Sequence, residues 1–189
     1  MITVISLTFR ILLFFILSIF FTFISRRSLR NRHSHGFYRY FAFEGVTILV
    51  LYNHPVWFNS PFSALQCLSW LLLLLSVALV IHGFVLLKRV GGQEQRAACP
   101  ENLPFENTKN LVQSGLYCYI RHPMYSSLLL LAWGAFLKRI DLITLTMVVM
   151  VSVALFLTAK VEEGENVSYF GNDYRTYQAR SKMFFPFVF

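Results

Sequence analysis

Residues 115–125 read Gly115-Leu116-Tyr117-Cys118-Tyr119-Ile120-Arg121-His122-Pro123-Met124-Tyr125. A glycine, three tyrosines, a fixed cation, a histidine and a proline stand between a polar segment and an apolar run. Pro123 lacks an N–H and presets φ, which suits the first position of a helix. His122 then falls at the cap, Arg121 just outside it and Tyr125 inside the first turn. Two readings are open on this stretch alone. Free N–H groups at a helix start, together with Arg121, favour an anion. Equally, the proline marks where a membrane helix begins, with Arg121 and His122 at the lipid headgroups.

The surrounding composition makes the helix a membrane one. Of 189 residues, 56% are hydrophobic and only 14% charged, and 20 are phenylalanine. Mean hydropathy is +0.56. Several long apolar runs exclude an ordinary soluble core. The runs are continuous rather than alternating, so helices and not a barrel are expected to span the bilayer. A net charge of +8 raises nucleic acid as a partner. The basic residues border apolar spans, however, and read as topology signals and anionic-lipid contacts. Cys67, Cys99 and Cys118 have no metal spacing and are expected as free thiols, and no metal site is expected.

Working outward, five spans are expected. Ile2 to Ile24 is the first, interrupted by Arg10; either Arg10 snorkels to the outer surface or a shorter helix begins near Ile11. Ser18 to Ser25 offers no small-residue cleavage site and Arg26-Arg27 reads as a stop, so the helix is expected to stay uncleaved. Arg26, Arg27, Arg30, Arg32 and Arg39 form a basic loop in which His33 and His35 are expected to be solvated. The second span, about Phe37 to Trp57, carries Glu44, either facing a cavity or snorkelling to the near surface. The third, about Phe62 to Leu87, is the clearest, with His82 expected as a hydrogen-bonded core histidine. A polar connector, Gly91 to Asn110, holds Glu101 and Glu106. Met124 to Leu137 is the fourth span, Lys138-Arg139-Ile140-Asp141 turns the chain, and Leu142 to about Thr158 is the fifth, followed by a polar and aromatic tail from Lys160.

Charge orients this layout. All of the 17 basic residues except Arg10, Lys138 and Arg139 fall in loops on one side. Positive residues stay cytoplasmic, so the expected fold is an all-α membrane bundle of about five helices, N-terminus out and C-terminus in. Asn166-Val167-Ser168 is then a cytoplasmic, unmodified sequon. Residues 1–110 form a three-span region with its connector, and 111–189 a two-span core with its tail.

The layout brings two motifs to one side. Arg121-His122-Pro123 opens span four and Glu162-Glu163 closes span five. A short hairpin lets Arg121, His122 and Tyr125 face Glu162 and Glu163 across a pocket roofed by Tyr169, Phe170, Tyr174 and Tyr177. Charge pairing between adjacent helices is the alternative, but it leaves the tyrosines without a reason.

Gly115-x-Tyr117-x-x-x-Arg121-His122-Pro123-x-Tyr125, then Glu162-Glu163, then Phe170-Gly171-x-x-Tyr174-x-x-Tyr177 and Pro186, resemble the integral-membrane methyltransferases. These include isoprenylcysteine carboxyl methyltransferases and phospholipid N-methyltransferases. The resemblance spans roughly Leu111 to Pro186. It implies S-adenosylmethionine bound on the cytoplasmic side by Gly115, Tyr117, Arg121, His122, Pro123, Tyr125, Glu162 and Glu163. It further implies a lipid or prenylated acceptor entering from the bilayer, with Arg121 and Glu162 nearest the chemistry and Glu44, Tyr174, Tyr177 and Arg180 toward the acceptor. Carboxylates suit the cofactor's hydroxyls and ammonium, Arg121 its carboxylate, and tyrosines its adenine and sulfonium.

Methyl transfer by direct displacement needs alignment and exclusion of water. A carboxylate or thiolate acceptor needs no strong base, whereas an amine or phenol needs one such as Glu44, Glu162 or His122. Asn166 and Met183 depart from the family pattern, where an apolar and a basic residue are usual, and Arg180 is the nearest substitute for the latter. Both departures bear on the acceptor. The alternatives are a nicotinamide-dependent membrane reductase of the sterol-reductase kind and a non-enzymatic lipid-binding bundle. The bacterial inner membrane is favoured over the endoplasmic reticulum.

Overall fold

A computed structural model describes residues 2–92, 102–103 and 106–187, with side chains from residue 6 onward. Arg96, Cys99 and Glu101, assigned above to the connector, lie outside the described residues. Among the described residues there are six α-helices: α1 (Ile2–Ser25), α2 (His35–Asn53), α3 (Ala64–Leu86, drawn out by a π turn over Leu87–Gly91), α4 (Pro123–Phe136), α5 (Leu142–Phe170) and α6 (Asn172–Arg180). Among the described residues there is no strand, only an isolated parallel bridge between Ile120 and Lys182.

The helix ends follow from local chemistry. Pro123 sits at the first turn of α4 with His122 as its cap. Asp141 and Thr144 form a reciprocal capping box on α5, Thr144 N–H donating to Asp141 Oδ1 at 2.8 Å and Asp141 N–H to Thr144 Oγ1 at 3.1 Å. Ser63 Oγ accepts from Gln66 N–H at the start of α3. α5 stops at Gly171, whose φ of +61° favours glycine.

Two helix pairs build the bundle. α3 lies along α4 and α2 lies along α5, α4 also touches α2 and α5, and α1 packs on α2. The core is where α2, α4 and α5 meet, at Ala42, Leu49, Ala132, Ala135, Val148 and Leu155. Close approach needs small residues. A Cβ on Gly45 would come within 2.6 Å of Val151, and one on Gly134 within 3.0 Å of Leu73. The outward faces are apolar: Ile19, Leu74 and Met150 are about two-thirds exposed, as lipid-facing side chains are.

Among the described residues, three helices are long and apolar enough to cross a membrane: Ser6–Ser25, Ala64–Gly91 and Leu142–Phe170. α4, at 14 residues, spans roughly 21 Å against about 30 Å of hydrocarbon, and α2 carries His35, Arg39 and Glu44. α1 is continuous through Arg10, whose Nε donates to Ser6 O at 3.2 Å.

Several expectations are corrected. α2 begins at His35, not Phe37, so His35 and Arg39 are helical and 1% and 2% exposed instead of belonging to a solvated loop. α5 runs twelve residues beyond Thr158, because nothing from Ala159 to Phe170 breaks a helix except the tolerated Gly164. The polar segment after Lys160 is therefore mostly helix. His82 is exposed rather than in the core. Cys67 and Cys118 are free and exposed.

Candidate functional site

The site grows from the chain entering α4. Residues 115–118 form a 3-10 turn. Gly115 takes φ +58°, and a Cβ there would meet Leu86 at 2.7 Å and His82 at 3.0 Å, so both conformation and space call for glycine. Tyr117 is turned inward and 6% exposed. Its carbonyl accepts a 2.7 Å hydrogen bond from Tyr177 Oη of α6.

Residues 181–184 return beside this segment and pair with it. Arg121 N–H donates to Lys182 O (2.7 Å), His122 N–H to Met183 O (3.1 Å), and Lys182 N–H to Tyr119 O (2.9 Å). Ser126 Oγ adds a bond to Phe184 O at 2.7 Å. The N–H groups of Arg121 and His122 are thus engaged by the tail, not left open for an anion. The Arg121 guanidinium is engaged as well. Its Nε donates to Glu163 Oε1 at 2.6 Å, and Nη1 to Gln178 O (3.2 Å) and Ser181 O. Arg121 therefore knits α5, α6 and the tail together.

His122, 5% exposed, stacks on Tyr125 at 5.3 Å with an interplanar angle of 14°. Its Nδ1 lies 3.7 Å from Glu162 Oε2 and its Nε2 lies 3.6 Å from Glu163 Oε1. His122 Nε2 and Glu162 Oε2 are buried and have no hydrogen-bond partner. Glu162 reaches the wall of a cavity of about 220 Å³ that is also lined by Arg121, His122, Tyr125, Tyr117 and Tyr174. Glu163 stands behind that wall, bracing Arg121 and His122. Burial pushes the phenols of Tyr117, Tyr174 and Tyr177 above their ordinary value, with the charge of Glu162 adding to the effect at Tyr117 and Tyr174. These phenols stay neutral donors.

The structure brings together Tyr117, Arg121, His122, Pro123, Tyr125, Glu162, Tyr174 and Tyr177, with Phe170 on the same wall. Tyr169 is 40% exposed and does not line the cavity. Glu44 lies elsewhere, between α1 and α2, where Glu44 Oε2 accepts from Ser18 Oγ at 2.5 Å. Arg180 is at the surface, bonded to Gln113 Oε1.

The opposite wall was not anticipated. It holds Arg39 and Phe43 of α2 and Glu106 and Thr108 of the connector. Arg39 pairs with Glu106. His35 sits between two carboxylates, Nε2 at 3.3 Å from Glu106 Oε2 and Nδ1 at 2.7 Å from Glu165 Oε2. The signal was the spacing of four between His35 and Arg39, which shares one helix face only if the helix starts at His35.

The phospholipid methyltransferase family model matches residues 68–173, more than half of the chain. It takes in α3, α4, α5 and the Arg-His-Pro and Glu-Glu motifs, and leaves α1, α2 and the tail outside. No curated protein and no solved structure matches. The match and the motif that opens α4 agree: this chain belongs to the phospholipid methyltransferase family, a family of integral-membrane methyltransferases.

Proposed function

We propose that the chain transfers a methyl group from S-adenosylmethionine to a membrane-embedded lipid acceptor at the cavity between the start of α4 and the end of α5. The observation that carries this reading is the Glu162 carboxylate on its wall, whose Oε2 is buried and has no hydrogen-bond partner. Buried polar atoms without partners are costly, and their presence beside a cavity points to a polar ligand. The donor set fits this cofactor. Glu162 offers an acceptor for an ammonium or ribose hydroxyls. The neutral phenols of Tyr117 and Tyr174 give flat, weakly polar surface for an adenine.

When bound, the cofactor supplies an electrophilic methyl on a sulfonium, open to in-line displacement. The residues of this chain bind, orient and exclude water. Arg121 is a positioning residue, since its guanidinium fixes Glu163 and the carbonyls of Gln178 and Ser181. Glu163 in turn sets His122, and the tail holds the backbone of Arg121 and His122. Glu162, the wall carboxylate with a free oxygen, is the group suited to hold an acceptor's proton. Gly115 and Pro123 shape the turn and the helix start. Tyr174 and Tyr177 close the side toward α6.

In this reading residues 111–189 form the cofactor-binding core and residues 1–110 the membrane region that presents the acceptor. Five helices cross or enter the bilayer, with the N-terminus outside and the site on the cytoplasmic face, the arrangement that keeps basic residues inside.

The test is calorimetric titration of S-adenosylmethionine and its demethylated product into detergent-purified protein. Wild type should bind saturably. Glu162→Gln and His122→Ala should each weaken binding about tenfold, as loss of a charge-assisted contact does. A folded wild type that takes up neither compound sinks the reading.

A further inference from the structure

Two guanidinium groups line the cavity, and they are not equally committed. Arg121 is spent on Glu163 and two backbone carbonyls. Arg39, 2% exposed on the opposite wall, has its charge met by Glu106. That carboxylate is divided: Glu106 Oε2 also accepts from Leu103 N–H at 2.8 Å and lies 3.3 Å from His35 Nε2. Removing Arg39 from Glu106 would leave the carboxylate with the Leu103 N–H and the His35 ring still beside it, so this ion pair can exchange one partner without stranding the other.

A phospholipid brings its own anion. Its phosphate is fixed a short distance from the headgroup, and a buried phosphate needs a buried cation. Guanidinium is suited to it, because its planar fork matches two phosphate oxygens. The cavity lining also includes the apolar side chains Phe43, Leu128 and Val80. Val80 is 37% exposed, so this apolar lining reaches the surface of the bundle. An anionic head at Arg39 would share one cavity with Glu162 and His122 and leave its hydrocarbon on that apolar lining.

We propose that Arg39 is the residue that receives the phosphate of the phospholipid acceptor, with Glu106 as the internal carboxylate that it exchanges for that phosphate. The assignment deepens the proposed function and rests on it for the word acceptor. Arg39 lies outside residues 68–173, so it is a specificity-determining residue supplied by the part of the chain that the family model does not cover.

The test is binding, read apart from methyl transfer. Full-length protein in detergent is titrated with a short-chain phosphatidylethanolamine, with a single-chain alkylamine lacking phosphate, and with inorganic phosphate. Wild type should prefer the phospholipid over the alkylamine by at least about tenfold, the scale of one charge-assisted bidentate contact. Arg39→Gln should abolish that preference while S-adenosylmethionine affinity stays within about twofold. Glu106→Gln, which frees the guanidinium, should tighten the phospholipid several-fold. Should the single Arg39 variant not fold, Arg39→Gln with Glu106→Gln removes both charges together and should show the same loss of preference. Retained preference in a folded Arg39→Gln or double variant overturns the assignment. Inorganic phosphate binding as tightly as the lipid also overturns it, since the site would then be one for a free anion. A wild type that shows Arg39-dependent phospholipid binding but takes no S-adenosylmethionine upholds this site and removes the proposed function instead.

Discussion

The two ends of the bundle spend their polar groups differently. At the end where α4 finishes, side chains serve backbone. Asn53 Nδ2 donates to Ala135 O at 2.7 Å, Ser69 Oγ to Gly134 O at 2.7 Å, and Gln66 Nε2 to Leu137 O and Lys138 O at 3.4 Å each. These are the carbonyls that a helix C-terminus leaves without partners, satisfied from neighbouring helices. Lys138 rests its ammonium 3.5 Å over the Trp70 ring. At the end where α4 begins, charge meets charge: Arg121 with Glu163, Arg39 with Glu106, His35 with Glu165. One end spends its polar groups chiefly on backbone carbonyls and the other on ion pairs around a cavity. A polar atom that completes a helix is structural, whereas a buried polar atom left over beside a cavity is available to a ligand.

Four variants or conditions test that division. The largest effect is expected at Glu163→Gln. It strands the Arg121 charge, which is 10% exposed, and should cost about 3–5 kcal/mol along with cofactor binding. Thermal unfolding in detergent measures the first and calorimetry the second. Next is Asn53→Ala, which removes the side-chain donor to Ala135 O while the Lys138 N–H still reaches that carbonyl, and should cost about 0.5–1.5 kcal/mol. Its cofactor affinity should match wild type, and a matching fall in affinity would break the distinction between the ends. Third is Glu162→Gln, the reverse case. Its Oε2 has no hydrogen-bond partner, and the amide keeps an oxygen for the Tyr125 hydroxyl, so stability should change little while cofactor affinity falls about tenfold.

The smallest effect is in alkali. The folded-state values of Tyr117, Tyr174 and Tyr177 lie above their ordinary value of 10.0. A raised folded value means that the native state keeps its proton longer than the unfolded chain. The stability these phenols contribute is therefore whole below pH 10.0 and lost as pH rises above it. Tyrosinate absorbance should rise in two stages, exposed phenols first and these three only on unfolding. A single stage near pH 10.0 would mean that the three phenols are not shielded.

Much of the α4 end was legible because its chemistry is local. Arg121-His122-Pro123 marks a helix start, a four-residue turn forces α4 and α5 antiparallel, and Glu162-Glu163 then falls opposite. Which of the two glutamates reaches the cavity was not legible. One residue is a rotation of about 100° around a helix, and α5 carries too little amphipathic pattern to fix its phase. The Arg39 wall was hidden by distance. His35 meets partners 71 and 130 residues away, and a run rich in arginine reads as a solvated loop when those carboxylates are out of view. The pairing of residues 119–122 with 182–183 leaves no trace in side-chain types, because backbone atoms alone make it.

That pairing also sets an order of assembly. Arg121 and His122 are synthesised about sixty residues before Lys182 and Met183, whose carbonyls they require. α3, α4 and α5 are therefore all made and inserted while the binding wall is still incomplete. Only when residues 181–184 leave the ribosome and dock does Arg121 gain its last carbonyl and His122 its fixed backbone. The wall around Arg121 and His122 is thus completed by a segment synthesised after the three helices that carry it.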